Sequence, residues 1–363
     1  MAILRRRPWS VLISEGGDGE SRAAVAATRL LSTSGYGVTV TTSGSLSLAA
    51  YSRFCDRRVR VPRVYDDPGG YAEAVRSELA AGAYLTVLPA TDDAVAALAL
   101  PGWEFLNKAT VAARVEAAGL AVPETRLAHD IDEARAASAS LGWPVVVKPD
   151  LKRGLARRLE SADEVAALPA SLFPVLVQPF FTGTLNGVLG LMWDGALVRA
   201  THLRYLRVYP SPCGTIAAAV TREPDLQIEA GLQRLLATYQ GVFHVDLAGN
   251  RLLDVNPRIH ASLPAAVRAG SDPLSAYCAL LEGEAVAESR ARPGVFFRWL
   301  EGDLRSVYTS VARGDMRWPA AARALAPRRR TVHSFSSILD PGPSLARLGF
   351  ARRRAVRRVS PVR

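Results

Sequence analysis

Apolar and polar positions alternate with two different periods along this chain, and the switches between them mark its elements. "WSVLIS" (residues 9–14) is a continuous apolar run, as expected of a strand buried on both faces. The turn "EGGDGES" follows, then an alanine-rich helix to about Ser34. "YGVTVTT" and "AYLTVLPATDD" read as two further strands. Strands separated by helical segments predict a parallel α/β unit.

A second region begins near "PGWEFLNKATVAARVEAAGLAVPE". Asn107 is placed to cap a helix whose apolar face includes Val111 and Val115. Gly119 and Pro123 supply its stop. A helix over 132–141 leads into the strand "PVVVKP", and "FPVLVQPFF" is another strand. "GVLGLMWDGALVRATHLRYLRV" predicts an antiparallel hairpin turning at Asp194-Gly195. A helix over 226–239 precedes a second hairpin, "GVFHVDLAGNRLLDVNP", and "LPAAVRAGSDPLSAYCALLEG" is helical. No internal repeat is present.

That second hairpin carries chemistry. Alternate residues of a strand share a face, so His244 pairs in direction with Asp246, and Asp254 with Asn256. A three-residue turn at Gly249, Asn250 and Arg251 would set Asp246 opposite Asp254 and His244 opposite Asn256. Two opposed carboxylates repel, and a hard divalent cation relieves that repulsion. An ordinary solvated sheet face fits the same periodicity, and a register shifted by one would turn Asp254 away. Arg258 follows on the same side, and acids, an amide and an arginine together suit phosphate chemistry.

Composition narrows the class. At 363 residues the chain suits two or three domains. With 49% hydrophobic and 22% charged residues it reads as globular. No run approaches the ~18 apolar residues of a membrane span, and the segment before Glu15 has too few apolar residues for a secretory core, so no signal peptide is expected. Three dispersed cysteines without C-x-x-C point to a reduced, cytoplasmic setting. The net charge of +11 is concentrated at the ends: thirteen arginines and two aspartates lie between Arg313 and Arg363. RNA-binding motifs and interleaved aromatics are absent, so a solvated basic tail is expected rather than a nucleic-acid arm. The turn Gly16-Gly17-Asp18-Gly19 has no third helix glycine and no acid ending the next strand, so it reads as structural and not as a dinucleotide loop. P-loop, nucleophile-elbow and H-E-x-x-H patterns are missing. His260 is expected to be a satisfied surface histidine.

Five segments, in order, resemble the ATP-grasp superfamily: "LNKATVAARVEAAGLAVPET", "GWPVVVKP", "VLVQPFFTG", "GVFHVDL" and "LLDVNPRIHASLPAAVRAGSDP". The nearest flavour is that of carbamoyl-phosphate-synthase-like enzymes and carboxylate–amine ligases, and it spans about residues 11–284. The resemblance implies a parallel α/β pre-ATP-grasp domain over 1–105, then an ATP-grasp domain over 106–288 in two subdomains, 106–177 and 178–288. Residues 289–363 form a C-terminal extension. It also gives meaning to the three lysines, which are the only ones among 45 basic residues. Lys108 and Lys148 match phosphate-binding lysines, for which a compact ammonium is suited. Lys152 lies in the loop "DLKRGLARR", where the family has a cap over the phosphates, here with a single glycine. Gln178 and the backbone around Phe180 match the adenine site, and no acid for the ribose stands near Thr184 to Asn186. Asp246, Asp254 and Asn256 match ligands for Mg²⁺ (or Mn²⁺), and Arg258 matches the arginine at the transferred phosphoryl group. Arg204 and Arg207, read as lying in a loop or turn, are candidates for a substrate carboxylate.

The activity implied is ATP-dependent phosphorylation of a carboxylate followed by capture with an amine, both small molecules. Bicarbonate activation, as in carbamoyl-phosphate synthases and carboxylases, is the first alternative. An ATP-binding accessory protein with little turnover is the second. A homodimer is compatible with each.

Overall fold

The computed structural model describes residues 7–149 and 156–359, without the side chains of Ala109 and 353–359. The first unit is a four-stranded parallel sheet, β1 (Ser10–Ser14), β2 (Gly37–Thr42), β3 (Arg57–Arg60) and β4 (Tyr84–Pro89), in the order β3-β2-β1-β4. Val11, Leu12 and Ile13 are fully buried, which is why this strand has no polar alternation. Helices α1 (Arg22–Thr33), α2 (Pro68–Ala81) and α3 (Asp92–Leu98) connect the strands. Ser21 caps α1 by accepting from the Ala24 amide at 3.1 Å.

Helix α4 (Lys108–Ala117) starts the second unit. Asn107 Oδ1 accepts from the Thr110 amide at 3.2 Å, and Val111 and Val115 are buried. A small antiparallel sheet follows: β5 (Arg126–Ala128), β6 (Val145–Pro149), β7 (Arg157–Leu159) and β8 (Val175–Pro179), ordered β5-β8-β6-β7, with α5 (Ile131–Leu141) and α6 (Ala162–Ala166). Val145, Val147, Val175 and Val177 fill a core between sheet and helices. The alternate residues Val146, Lys148 and Gln178 therefore face the other way.

The largest sheet has eight strands: β9 (Leu185–Trp193), β10 (Ala196–Tyr209), β11 (Thr215–Thr221), β12 (Gly241–Ala248), β13 (Arg251–Asn256), β14 (Ser289–Arg290), β15 (Phe296–Arg298) and β16 (Val332–His333). Its path is β13-β12-β9-β10-β11-β15-β16, with β14 on β10. Helices α7 (Leu226–Leu235), α8 (Leu263–Arg268), α9 (Pro273–Leu281), α10 (Leu300–Ala312), α11 (Trp318–Leu325) and α12 (Gly342–Val359) complete the chain. Asp194 and Gly195 turn between β9 and β10 with φ of 46° and 73°, as the hairpin predicts.

Four details differ from the sequence reading. Helix α7 ends at Leu235, not 239. The expected helix over 263–283 is two helices parted by Gly270, whose φ is +88°. Arg204 and Arg207 lie within β10, not in a turn. The region beyond 289 is no appended tail: β15 and β16 extend the large sheet, and α12 puts Ala346 and Phe350 into the core that holds Leu48 and Ala49.

Candidate active site

A cleft of about 950 Å³ opens between the small sheet and the large one. One wall is the β12–β13 hairpin. Its register pairs Asp246 with Asp254 and His244 with Asn256. The turn has two residues, Gly249 and Asn250, instead of three, because Ala248 pairs with Arg251. The missing residue reappears as a bulge: Asp246 opposes Asp254 but Leu247 opposes Leu252, so Leu253 is extra. The Leu253 carbonyl accepts from Lys148 Nζ at 3.1 Å, which ties the opposite wall to the bulge.

Asp246 is held from two directions. The Tyr205 hydroxyl donates to its Oδ1 at 2.7 Å, and Asn256 Nδ2 donates to its Oδ2 at 3.3 Å. Tyr205 Oη also lies 3.1 Å from His244 Nε2. Its one proton is given to Asp246, so the hydroxyl accepts from an Nε2-protonated His244. Burial and the Asp246 charge push the Tyr205 phenol well above its usual range, so it remains a donor. His244 stacks on His260 with centroids 3.5 Å apart. His260 lines the cleft and is buried, not on the surface as expected.

Arg258 also lines the cleft and is gripped from the first unit. Asp92, at the start of α3, accepts from Arg258 Nε at 2.9 Å and from Nη2 at 3.1 Å. The same Nη2 donates to Asn256 Oδ1 at 3.1 Å. Burial disfavours the guanidinium charge, but Asp92, with Asp254 and Asp246 beyond it, outweighs that and raises the pKa.

The facing wall carries Lys148 and Gln178, both buried, and Phe180. Lys108 lines the cleft from the start of α4. Gln178 Nε2 donates to Thr125 Oγ1 at 2.7 Å, which fixes the side chain beside the linker. The Phe180 amide donates to the Pro144 carbonyl at 2.9 Å, so this N–H is engaged within the fold. The Arg158 guanidinium covers the Phe180 ring at 4.4 Å. Cys213 borders the cleft, but burial pushes its thiol up to about 11 against the pull of Arg158 and Lys148, which leaves it un-ionised at neutral pH. Asn186, near the place expected for a ribose acid, donates to the Gly249 carbonyl at 3.2 Å and braces the hairpin. Lys152 lies outside the described residues.

The substrate-carboxylate expectation is corrected. Arg204 is exposed, and neither it nor Arg207 lines the cleft. Arg207 Nη2 donates to the buried Asp303 at 3.1 Å, and Arg298 Nε meets the same carboxylate at 2.9 Å. Pattern reading missed Asp92 and Tyr205. Asp92 follows the last strand of a parallel sheet, where functional groups collect at carboxyl ends, and that rule points to it. Tyr205 has no such signal.

Among the described residues no three His, Cys, Asp or Glu side chains are grouped to hold a metal ion. Two carboxylates and an amide do suit a hard cation that takes its remaining ligands from phosphate and water.

No protein-family model matches the chain. Solved structures do match it. An L-amino acid ligase from Bacillus licheniformis is 17% identical over 76% of this chain and 75% of its own, with a TM-score of 0.57. An ADP complex of an N5-carboxyaminoimidazole ribonucleotide synthetase is 18% identical over 86% and 87%, with a TM-score of 0.63. The biotin carboxylase domain of the Hydrogenobacter thermophilus 2-oxoglutarate carboxylase, with MgADP and bicarbonate, is 13% identical over 79% and 73%, with a TM-score of 0.58. The chain has the ATP-grasp fold, an α/β pre-ATP-grasp unit followed by two sheets that face each other across a cleft.

Proposed function

We propose that this protein is an ATP-dependent ligase that activates a carboxylate as an acyl phosphate and joins it to an amine. The observation that carries the reading is the pairing of Asp246 with Asp254 on the cleft wall, facing Lys148 across it. Solved structures of like fold contain ADP, or MgADP with bicarbonate, which supports nucleotide chemistry in such a cleft.

Asp246, Asp254 and Asn256 would hold Mg²⁺ (or Mn²⁺), which when bound neutralises charge on the β- and γ-phosphates. Lys108 and Lys148 would contact phosphate oxygens, and Lys152 is assigned to the same group from sequence. Gln178 and the linker at Phe180 would border the base. Arg258, oriented by Asp92, would face the transferred phosphoryl group. A substrate carboxylate oxygen attacks the γ-phosphorus as its bond to the β-phosphate oxygen breaks, and ADP leaves. The amine nitrogen then attacks the acyl carbon, the carbon–oxygen bond to phosphate breaks, and the nitrogen loses a proton. No protein nucleophile is needed, in keeping with a Cys213 thiol held neutral.

The test is ADP release with candidate carboxylates and a pool of amines, with Asp254→Ala as control. Release that needs both carboxylate and amine supports ligation. Release that needs bicarbonate replaces it with the carboxylase-like reading. Nucleotide binding without release across the panel replaces it with the accessory-protein reading.

A further inference from the structure

The cleft leaves the basic C-terminal region unexplained, and that region has an unusual surface. Helix α12 is amphipathic in two senses. Ala346 and Phe350, four apart, are buried against the first unit. Leu345 and Leu348 lie on the outer side, 62% and 66% exposed, followed one turn later by the exposed Arg352. The loop before α12 projects Ile338 at 98% exposure, with Leu339 beside it. Asp340 anchors that loop by accepting from Arg29 Nε and Ser52 Oγ, each at 2.7 Å. The tip is thus apolar while its base is fixed.

The neighbouring helix continues the surface. Leu300, Leu304 and Tyr308 are four apart on α10, and all three are exposed. Arg347 joins the two helices by donating to Glu301 at 2.7 and 2.9 Å, and it also pairs with Glu20. Arg305 binds the same Glu301 at 2.9 Å. Both acids at this junction are therefore neutralised by arginine. At the start of α12, Gly342 abuts the Tyr51 carbonyl, and Arg58 covers the exposed Tyr51 ring at 5.2 Å. Exposed large apolar side chains thus lie on α10, on α12 and on the loop between Ser337 and Asp340, and Arg347 ties the two helices together.

We propose that this surface docks on an anionic lipid bilayer. A loop tip and two leucines enter the headgroup boundary, and arginines meet lipid phosphates. Charge selects this occupant. Among the described residues from Arg313 on, seven arginines are exposed against one exposed acid, Asp315, so a second copy brought against this region would oppose like charges. A nucleic acid would match the arginines but leave Ile338, Leu345 and Leu348 in water. An anionic bilayer satisfies both components.

The experiment is flotation of the full chain with vesicles of phosphatidylcholine alone and of phosphatidylcholine mixed with phosphatidylglycerol. Binding is expected to the mixed vesicles and not to the neutral ones, and it weakens as salt shortens the screening length. The double variant Leu345→Glu/Leu348→Glu, and separately Ile338→Ser/Leu339→Ser, should each lower the partition coefficient at least tenfold. Because these side chains are exposed, both variants should keep the parental melting temperature, and that measurement certifies folding. Equal binding to both vesicle types, no binding, or unchanged partitioning of two folded variants overturns the proposal. So does tighter binding to an oligonucleotide than to mixed vesicles, or a dimer that the leucine variant dissociates without any vesicle binding.

Discussion

Two places in this molecule hold a carboxylate by hydrogen bonds to both of its oxygens, and they do opposite things with it. In the turn after β1, Glu15 accepts from the Ser21 amide at 2.7 Å and from Ser47 Oγ at 2.9 Å. Both donors are short-chain groups of the first unit, and both carboxylate oxygens are used. In the β12–β13 hairpin, Asp246 draws its partners from β10 and β13, and Lys148 reaches the same hairpin from the facing sheet. Arg258 is held there by α3. A buried acid saturated within one unit is a fastening. Acids at which several elements converge on an open cleft are a site, and a full set of hydrogen bonds alone does not separate the two.

The largest effect should come from removing a hairpin acid. Asp254→Ala is expected to lower the rate of ADP formation on the order of 10³-fold, with little change in melting temperature. Near-parental turnover in that variant would erase the distinction between the hairpin and the turn.

Next comes the contact that links the first unit to the cleft. Asp92→Ala leaves the Arg258 guanidinium buried without its bidentate acceptor. Breaking a buried ion pair from one side typically costs about 3 kcal/mol of stability. We expect that loss together with a fall of about 10–100-fold in kcat/KM, while Asp92→Asn recovers part of both. A variant that loses stability but keeps full kcat/KM would make Asp92 a fastening like Glu15.

The hairpin itself was legible because its argument is local. Asp246 and Asp254 flank Gly249-Asn250 at three and four residues, and taking Arg251 into the turn makes the two distances equal. The bulge at Leu253 was not, since it is fixed by distant groups: Lys148 takes the Leu253 carbonyl and the Ala121 carbonyl takes the Leu252 amide at 2.8 Å. The lysine-bearing strand was legible for the same reason as the hairpin: "PVVVKP" reads as a strand whether or not its partner is known. Arg207 misled because its spacing from Arg204 reads as a turn, whereas both lie in β10, whose register shifts between Tyr205 and Arg207 and again before Val208. Two irregularities turn a side chain that simple alternation would place elsewhere, and this one meets Asp303. Tyr205 is invisible for a plainer reason, and Asp92 is marked only by its place after a parallel strand. Their roles consist of contacts across 41 and 166 residues of sequence.

A smaller effect is expected at Tyr205. Phenylalanine keeps the ring but removes the hydroxyl that holds Asp246 and accepts from His244. Outer partners of metal ligands commonly contribute tenfold or more in metal affinity. Tyr205→Phe should therefore raise the Mn²⁺ concentration for half-saturation about tenfold, measured by nucleotide-dependent metal titration as well as by turnover. Unchanged metal affinity would show that Asp246 is positioned by its own strand alone.

The least effect on activity, and a distinct one on stability, belongs to Glu15. Burial raises its pKa from 4.5 to about 7, against the Ser21 and Ser47 hydrogen bonds, with Glu20 adding to the rise. The folded state thus holds the proton more tightly than the unfolded one. Stability from this group is present in full below about 4.5 and is lost as pH rises through about 7. Glu15→Gln mimics the protonated form, and Ser47 Oγ can turn to accept from the new amide. The two proteins should unfold alike near pH 4.5, and the variant should gain over its parent as pH rises, levelling off above about 7 at roughly 1–3 kcal/mol. Its turnover should match the parent throughout, since no cleft group changes. If Glu15→Gln instead moved the pH profile of ADP formation, the turn after β1 would be part of the chemistry, and the contrast with the hairpin would fail at its structural end.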